Sequence, residues 1–535
     1  NSRLTTAGGS VELTATTGTI VFDGIDTSVN TGNAGSVTLQ AAGDITTIEN
    51  FLVELVDPEN ISAGVTDIAD ASINTSVSVN GSGNGGDISL ISTNGSIDTS
   101  SGDILSVTPD GRGGSVALQA GGNITVKSIG SYVNPTGDAG SITLQAGGNI
   151  TTTGLLGENG EGTLISSAKT GNGGQISLTS TNGSIDTRSG EIWAFSINGN
   201  AGAIALSAAD EINTAEIKAS AESGDGSGGT ISFSNAGDVN TAEIDVSADL
   251  GNAGSISFSG ASDINTAEID ASSVSGNGGT VSFSGFVDIA DDTDTGQMTS
   301  SFSPPDDIST QQIDVSSVSG NGGTVSLFSV GEINTAQIDA SSVSGNGGTV
   351  SFSSADEVTV DTDSGQITLS LSLSGVSEIN TAQIDASSDS GNGGTVTVSG
   401  AGEIKTEQID TSSVSGDGGT ISFSSAGNID TAQIDASAVS GNGGAIALSA
   451  GDDINTAQID TSSANDESIG NGGNVTLDAQ GNVQVTSINA QGGDSGTGGD
   501  VDITANGFFS ATGTFTDQND IDASISTAAG STGGQ

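Results

Sequence analysis

The sequence predicts an all-β fold, an elongated parallel β-solenoid of about 25 residues per coil. Three observations predict it: a glycine turn that recurs along the chain, apolar residues that alternate with period two after each turn, and prolines that stay clear of the alternating runs.

The turn comes first because it sets the unit. Segments of the form Gly-x-(Gly/Ala)-Gly end at Gly35, Gly86, Gly114, Gly140, Gly174, Gly202, Gly229, Gly254, Gly279, Gly323, Gly348, Gly394, Gly419, Gly444, Gly473 and Gly499, after the related Ala7-Gly8-Gly9. The shortest and commonest spacing is 25 residues; the 51 before Gly86 reads as two units with one turn lost. The 44 before Gly323 and the 46 before Gly394 read as a unit plus roughly twenty extra residues. Gly and Asn in Gly-Asn-Gly-Gly suit the positive φ of a tight corner.

The strands follow from alternation. In Gly279-Thr280-Val281-Ser282-Phe283-Ser284, Val281 and Phe283 face one way and the hydroxyls the other. The same slots hold Val37 and Leu39, Ile142 and Leu144, Ile256 and Phe258, Val350 and Phe352, and Ile446 and Leu448. A second stretch places isoleucines five residues apart, at Ile264/Ile269, Ile333/Ile338, Ile404/Ile409 and Ile454/Ile459. Each unit therefore supplies two or three short strands. One unit has too few apolar residues to bury its own face, whereas stacked units pair each strand with its equivalent in the next coil. About twenty coils at roughly 4.8 Å each would give a rod on the order of 100 Å long.

The prolines test this arrangement, because a missing amide donor breaks a central ladder. Pro58, Pro304 and Pro305 fall in the long intervals, and Pro109 and Pro135 lie just before the turns at 111–114 and 137–140. The expected organisation is one continuous solenoid over 1–535. It is interrupted by an irregular insertion at 43–79 and by extra-coil or hairpin insertions at 285–310 and 355–376. The first insertion contains the longest apolar run, Phe51–Val56, and is the expected place for a partner-binding protrusion.

Composition bounds the function. Seven basic side chains stand against 65 acidic ones, a formal net charge of −58, with no Cys and no His. That charge disfavours nucleic acid, which is bound by displacing phosphate counterions with Lys and Arg, and anionic membrane surfaces. No run is long enough to span a membrane. A disulfide framework and His- or Cys-dependent nucleophiles are excluded outright. The chain opens on Asn1 with neither initiator Met nor signal peptide, which reads as a mature product or an excerpt. It stops at Thr532-Gly533-Gly534-Gln535, which reads as the start of another coil; the expectation is a continuing chain or ends that dock on neighbouring copies.

Repeats such as Gly345-Asn346-Gly347-Gly348-Thr349-Val350-Ser351-Phe352-Ser353-Ser354, with Asn334-Thr335-Ala336-Gln337-Ile338-Asp339-Ala340-Ser341 before them, resemble the repeat region of filamentous-haemagglutinin-like exoproteins, in their cyanobacterial style. The resemblance covers most of the chain and rests on low-complexity repeats. It implies a right-handed β-helix, export through a two-partner secretion pore, an extracellular or cell-surface location, and adhesion or filament formation. The Asn-Pro-Asn motifs of that family's secretion domain are missing, and only Asn134-Pro135-Thr136 comes near; the export route therefore rests on likeness of the stalk alone.

Candidate chemistry is sparse. Adjacent carboxylates at Asp291-Asp292, Asp306-Asp307 and Asp452-Asp453 could in principle cleave glycosidic bonds, but read more simply as solvated surface pairs. An Asp recurs in register at 245, 270, 314, 339, 385, 410, 435 and 460, with Lys218 in its place one unit earlier. These should form an outward ladder of like charges that is solvated, protonated or bridged by divalent cations. Asp292 and Asp294, and likewise Asp361 and Asp363, precede a Gly turn with a spacing that suits Ca²⁺, without completing a calcium-loop motif; two related inserted coils or hairpins explain the same residues. Trp193 and Tyr132 are nearly all that could stack on a sugar. Rows of Thr and Ser make an ice-binding face conceivable, though the hydroxyl positions vary.

The functional expectation is a non-catalytic structural component of a secreted bacterial surface filament or adhesin stalk. Its partners would be further copies, joined end to end or side by side, and a cell-surface or matrix polysaccharide. The alternative is a calcium-dependent glycan-binding module, and the third reading a polysaccharide-degrading enzyme. No cofactor is expected apart from the calcium of that alternative.

Overall fold

The computed structural model of the chain describes residues 4–48, 71–78, 80–156, 162–234, 237–284, 286–292, 297–303, 305–354, 357–361, 368–372, 378–400, 402–463 and 469–529. Among them there is no helix. Parallel strands stack as a β-solenoid of about 16 turns with about 26 residues per turn. The chain divides into two compact units, Asn1–Ile256 and Ser257–Gln535.

In the first unit each coil opens with the strand that follows the glycine turn. Val37–Ala41, Ile88–Ser92, Val116–Ala120, Ile142–Ala146, Ile176–Ser180, Ala203–Ala208 and Thr230–Ser234 pair in parallel. Their inward column runs Val37, Ile88, Val116, Ile142, Ile176, Ile204 and Ile231, one per coil and all buried. Opposite lie two shorter strands per coil, such as Ile124–Val126 and Ile129–Gly130.

In the second unit the two shorter strands merge into one. Asp307–Asp314, Ile333–Asp339, Ile379–Asp385, Ile404–Asp410, Ile429–Asp435 and Ile454–Asp460 stack in register. Pairing skips one residue in each: Thr335 and Gln337 are paired with the next coil and Ala336 between them is not. This skipped residue explains the five-residue isoleucine offset, because the strand bends there and both isoleucines return to the core. In the facing sheet Phe283, Leu327, Phe352, Val398, Phe423, Leu448 and Leu477 follow one another inside. Phe258 and Phe283 stack with ring centroids 4.5 Å apart.

The long intervals add residues, not rungs. Val37–Ala41 pairs directly with Ile88–Ser92, so the 51-residue interval is one coil with a diversion and not two units with a lost turn. Thr280 likewise pairs with Thr324, and Thr349 with Thr395. This is why about 16 turns form where about twenty were expected. The insertions at 285–310 and 355–376 are antiparallel hairpins: Phe286–Asp292 pairs with Gln297–Ser303, and Glu357–Asp361 with Thr368–Ser372. Of the expected insertion at 43–79, residues 49–70 (Phe51–Val56 included) and 79 lie outside the described residues. At its ends Ile45–Thr47 and Ala71–Asn74 are ordinary coil strands. Residues 1–3 and 530–535, at the two ends, also lie outside the described residues.

Two details of the turns differ from expectation. Asn in Gly-Asn-Gly-Gly does not take positive φ; among the described non-glycine residues only Asp520 does. Positive φ is used at Gly32, Gly83, Gly111 and Gly137 in the early coils. At Gly345 the demand is instead proximity, since a Cβ there would meet the carbonyl oxygen of Gly320 in the preceding coil. Pro109 and Pro135 do lie in strands, but in a two-stranded pair of their own, Thr108–Asp110 with Val133–Thr136, whose register shifts between Thr108 and Asp110. A bulged pair apart from the main sheets needs no amide from either proline.

Candidate functional site

The repeated polar residues are built into the coil stack. At the glycine turn of the second unit the Oδ1 of Asn277 accepts the backbone N–H of Asn321 at 2.9 Å; Asn321 then does so for Asn346, Asn346 for Asn392, Asn392 for Asp417 and Asn442 for Asn471, each at 2.9 Å. The first unit repeats this with Asn172 accepting from Asn200 at 3.1 Å. These bonds satisfy amides that a turn leaves without a strand partner. A second ladder uses one member each of two acidic pairs, Asp306-Asp307 and Asp452-Asp453, while Asp291-Asp292 lies in a hairpin strand. Asp307 accepts the amide of Glu332 at 2.8 Å and Asp453 that of Asn482 at 2.6 Å.

The recurrent aspartates also have a local task. Within the second unit Asp270, Asp314, Asp339, Asp385, Asp410, Asp435 and Asp460 occupy one in-register column ending on Asn489. Each turns an Oδ1 onto the backbone N–H two residues on, as Asp410 does with Ser412 at 2.8 Å and Asp435 with Ser437 at 2.9 Å. The column is half-buried. Burial pushes the carboxyls of Asp314, Asp385, Asp410 and Asp435 above their ordinary range; bonds from the following serines pull the other way, and neighbouring aspartates add to the rise.

The calcium candidates are not assembled by the described residues. Asp292 ends one hairpin strand and Asp361 another, while Asp294 and Asp363 lie outside the described residues. Among the described residues no three acidic side chains are grouped so as to hold a metal ion.

In the first unit the slot equivalent to this aspartate holds other residues. Asn74, Leu105, Gly130, Ile165, Trp193, Lys218 and Asp245 follow one another. Leu105 and Ile165 join Leu156 in a small buried apolar cluster, against which Tyr132 and Trp193 pack. The only Trp and the only Tyr of the chain are thus brought together. Trp193 donates its Nε1–H to Glu191 at 2.7 Å and meets Phe195 edge-on, with centroids 5.7 Å apart. Lys218 lies 5.7 Å from the centre of the Phe195 ring and bridges Glu222 at 3.0 Å and Asp245 at 3.5 Å. Beside them Glu216 is paired in register with Glu243. Burial raises the Glu216 carboxyl to about 7, with Glu191 and Glu243 adding to the shift.

A long concavity lies in the second unit, where the merged strand bends. A shallow groove of about 830 Å³ crosses seven coils, from Ser309 to Thr486. Its floor is Thr310, Thr335, Thr381, Thr406, Thr431 and Thr456, in register. Asn334, Asn380 and Asn455, with Lys405 and Asp430, flank one side and exposed alanines at 336, 382, 432 and 457 the other. Lys405 is held by Glu378 and Glu403, each at 2.7 Å. Beyond the alanines a second shallow groove of about 460 Å³ is lined by Gln337, Gln383, Gln408 and Gln433. Sequence reading missed these grooves: Thr and Ala of Asn-Thr-Ala-Gln look like ordinary strand residues until the bend between them is known.

Compared with protein-family models, with curated proteins and with solved structures, the chain matches none.

Proposed function

We propose that the chain is a structural part of a secreted bacterial surface filament or adhesin stalk and that it is not an enzyme. The observation that carries this reading is the use made of its repeated polar groups. Asn346, Asp307, Asp453 and their equivalents hold backbone amides of the next coil. Side chains occupied in this way extend a stack and do not converge on a reacting bond. The secreted location and the two-partner export route rest on the likeness of the repeats to those exoproteins. Electron microscopy of the purified chain, without calcium and with millimolar calcium, tests the reading. Isolated rods mean a stalk, and fibres far longer than one chain mean a filament subunit that associates with itself. Shapeless particles would overturn both.

A second reading, a calcium-dependent glycan-binding module, draws its support from the long polar groove across the second unit. Its calcium requirement is tested apart from its glycan: a rise in Tm on adding calcium, abolished in a D292N/D294N/D361N/D363N variant, supports it, and an unchanged Tm removes calcium from the reading.

A further inference from the structure

We propose that the second unit pairs side by side with the same unit of a second copy of this chain, through a ridge of exposed valines and the uncharged sheet face beside it. The ridge stands at the glycine corner. Val274, Val318, Val343, Asp389, Val414 and Val439 occupy one slot there, one per coil. The N–H of Val318 donates to the carbonyl of Ser273, that of Val343 to Ser317, of Asp389 to Ser342, of Val414 to Ser388 and of Val439 to Ser413. The five valines are between 39% and 51% exposed, whereas Val281, Val325 and Val350 of the following strand are fully buried. A row of apolar side chains left half in water gains free energy when a partner covers it. The coil itself does not require valine: in the first unit the same slot holds Lys169, Ile197, Glu222 and Asp249.

Charge selects the partner. Residues 271–284, 316–329, 340–354, 386–400, 411–425 and 436–450 make the corner and the strand after it. They contain no Lys or Arg and only two acids, Asp389 and Asp417. The Asp417 carboxylate accepts the backbone N–H of Asn442 at 2.7 Å. Outward positions of the strands are Ser, Thr and Ala, with Phe328 among them. The remainder of each of these coils is acidic, as with Glu332 and Asp339, or Asp430 and Asp435. With a net charge of −58, two copies repel each other over most of their surface. This face is where they can touch with least repulsion. The two hairpins leave the coils after Ser284 and Ser354, at the end of the strand away from the valines.

Repeat and area fit a second copy. A surface that meets the ridge along its length must present a group every 4.8 Å or so, roughly the spacing of paired strands, and this chain carries that repeat itself. Corner and strand span on the order of 25 Å across the coil, and six coils span roughly 30 Å along the stack. The face is then on the order of 700 Å², against roughly 800 Å² per partner in a standard stable interface. A two-fold axis through the face sets each ridge against the other copy and closes the contact as a pair.

The proposal names a surface for the self-association in the filament reading and rests on that reading. The experiment is sedimentation equilibrium of the whole chain in calcium-free buffer at two sodium chloride concentrations, 0.15 M and 0.5 M. A monomer–dimer equilibrium is expected with a Kd of about 100 μM or tighter at the higher salt. It should weaken at the lower salt, where the charges of the two copies are less screened. A V343D/V414D variant should lose at least tenfold in affinity with Tm nearly unchanged, since Asp389 shows that the slot accepts an aspartate. Asp389→Val should complete the ridge and tighten the pair at least threefold. A monomer at every concentration and salt, or a dimer indifferent to both variants, would overturn the proposal. Association that runs past the dimer into fibres and ignores the valine variant belongs to the ends of the stack; it overturns side-by-side pairing and leaves the filament reading standing. Shapeless particles in the electron microscope sink that reading, whereas rods that stay monomeric sink only the pairing.

Discussion

At the scale of the residue, the aspartate column carries opposing effects that can be separated. Asp410 accepts an amide bond from Ser412 and also holds a charge in a half-buried row. Asp410→Asn keeps an oxygen for the bond and removes the charge, so Tm at pH 7 should rise. Asp410→Ala removes the acceptor and should cost about 0.5–1.5 kcal/mol, offset in part by the relief of repulsion; urea unfolding of the two variants checks both signs. The pH dependence has a definite direction. Burial lifts the folded carboxyls of Asp314, Asp385, Asp410 and Asp435 above their unfolded values near 4. Between those limits the folded state holds more protons than the unfolded one, so stability falls as pH rises through the window and is fully kept below it. Calorimetry should show the second unit melting at higher temperature as pH is lowered from neutral toward about 4. In the first unit Glu216, raised to about 7, works in the same direction, whereas Asp186, pulled down by the Arg188 guanidinium, loses its contribution as pH falls through its folded value. The repeated Asp was legible in the sequence as a ladder; its bond to the serine two residues on was not, because Asp-Ala-Ser reads equally well as a solvated corner.

At the scale of the element, coils tolerate changes to what hangs from them and resist changes to what lies between them. Thr280 to Phe283 pair in register with Thr324 to Leu327 across the intervening hairpin. Replacing residues 285–307 by a four-residue turn like that joining Ser424 to Ile429 should leave the far-UV spectrum of the coils and their Tm nearly unchanged. Gly345→Ala places a methyl against the carbonyl of Gly320 and should lower Tm by several degrees. Phe352→Ala, which empties a fully buried slot between Leu327 and Val398, should cost about 3–5 kcal/mol in denaturant unfolding. Strand positions and inward columns were readable from Val281 and Phe283 because a solenoid prints its geometry once per coil. The role of Asn346 was misassigned to backbone conformation, since its bond is to an amide 46 residues further on and no local pattern announces it. The apolar cluster of Leu105, Leu156 and Ile165 escaped for a related reason: Leu105 comes from one coil and Leu156 and Ile165 from another, and the three share no motif.

At the scale of the whole molecule, a net charge of −58 on 535 residues dominates the response to solvent. Self-repulsion opposes the compact state and is screened as the Debye length falls from about 10 Å at 0.1 M salt to about 3 Å at 1 M. Tm should therefore rise with sodium chloride, and more steeply than in a chain of balanced charge; a flat response would mean that bound counterions already neutralise the columns. Trp193 and Tyr132, packed on one cluster, leave a mark of a different kind. Both fluorophores of the indole and phenol type sit in the first unit, and the second has neither. Ultraviolet emission therefore follows the melting of one half of the chain alone, and the half that carries the aspartate column and the threonine-floored groove unfolds in the dark.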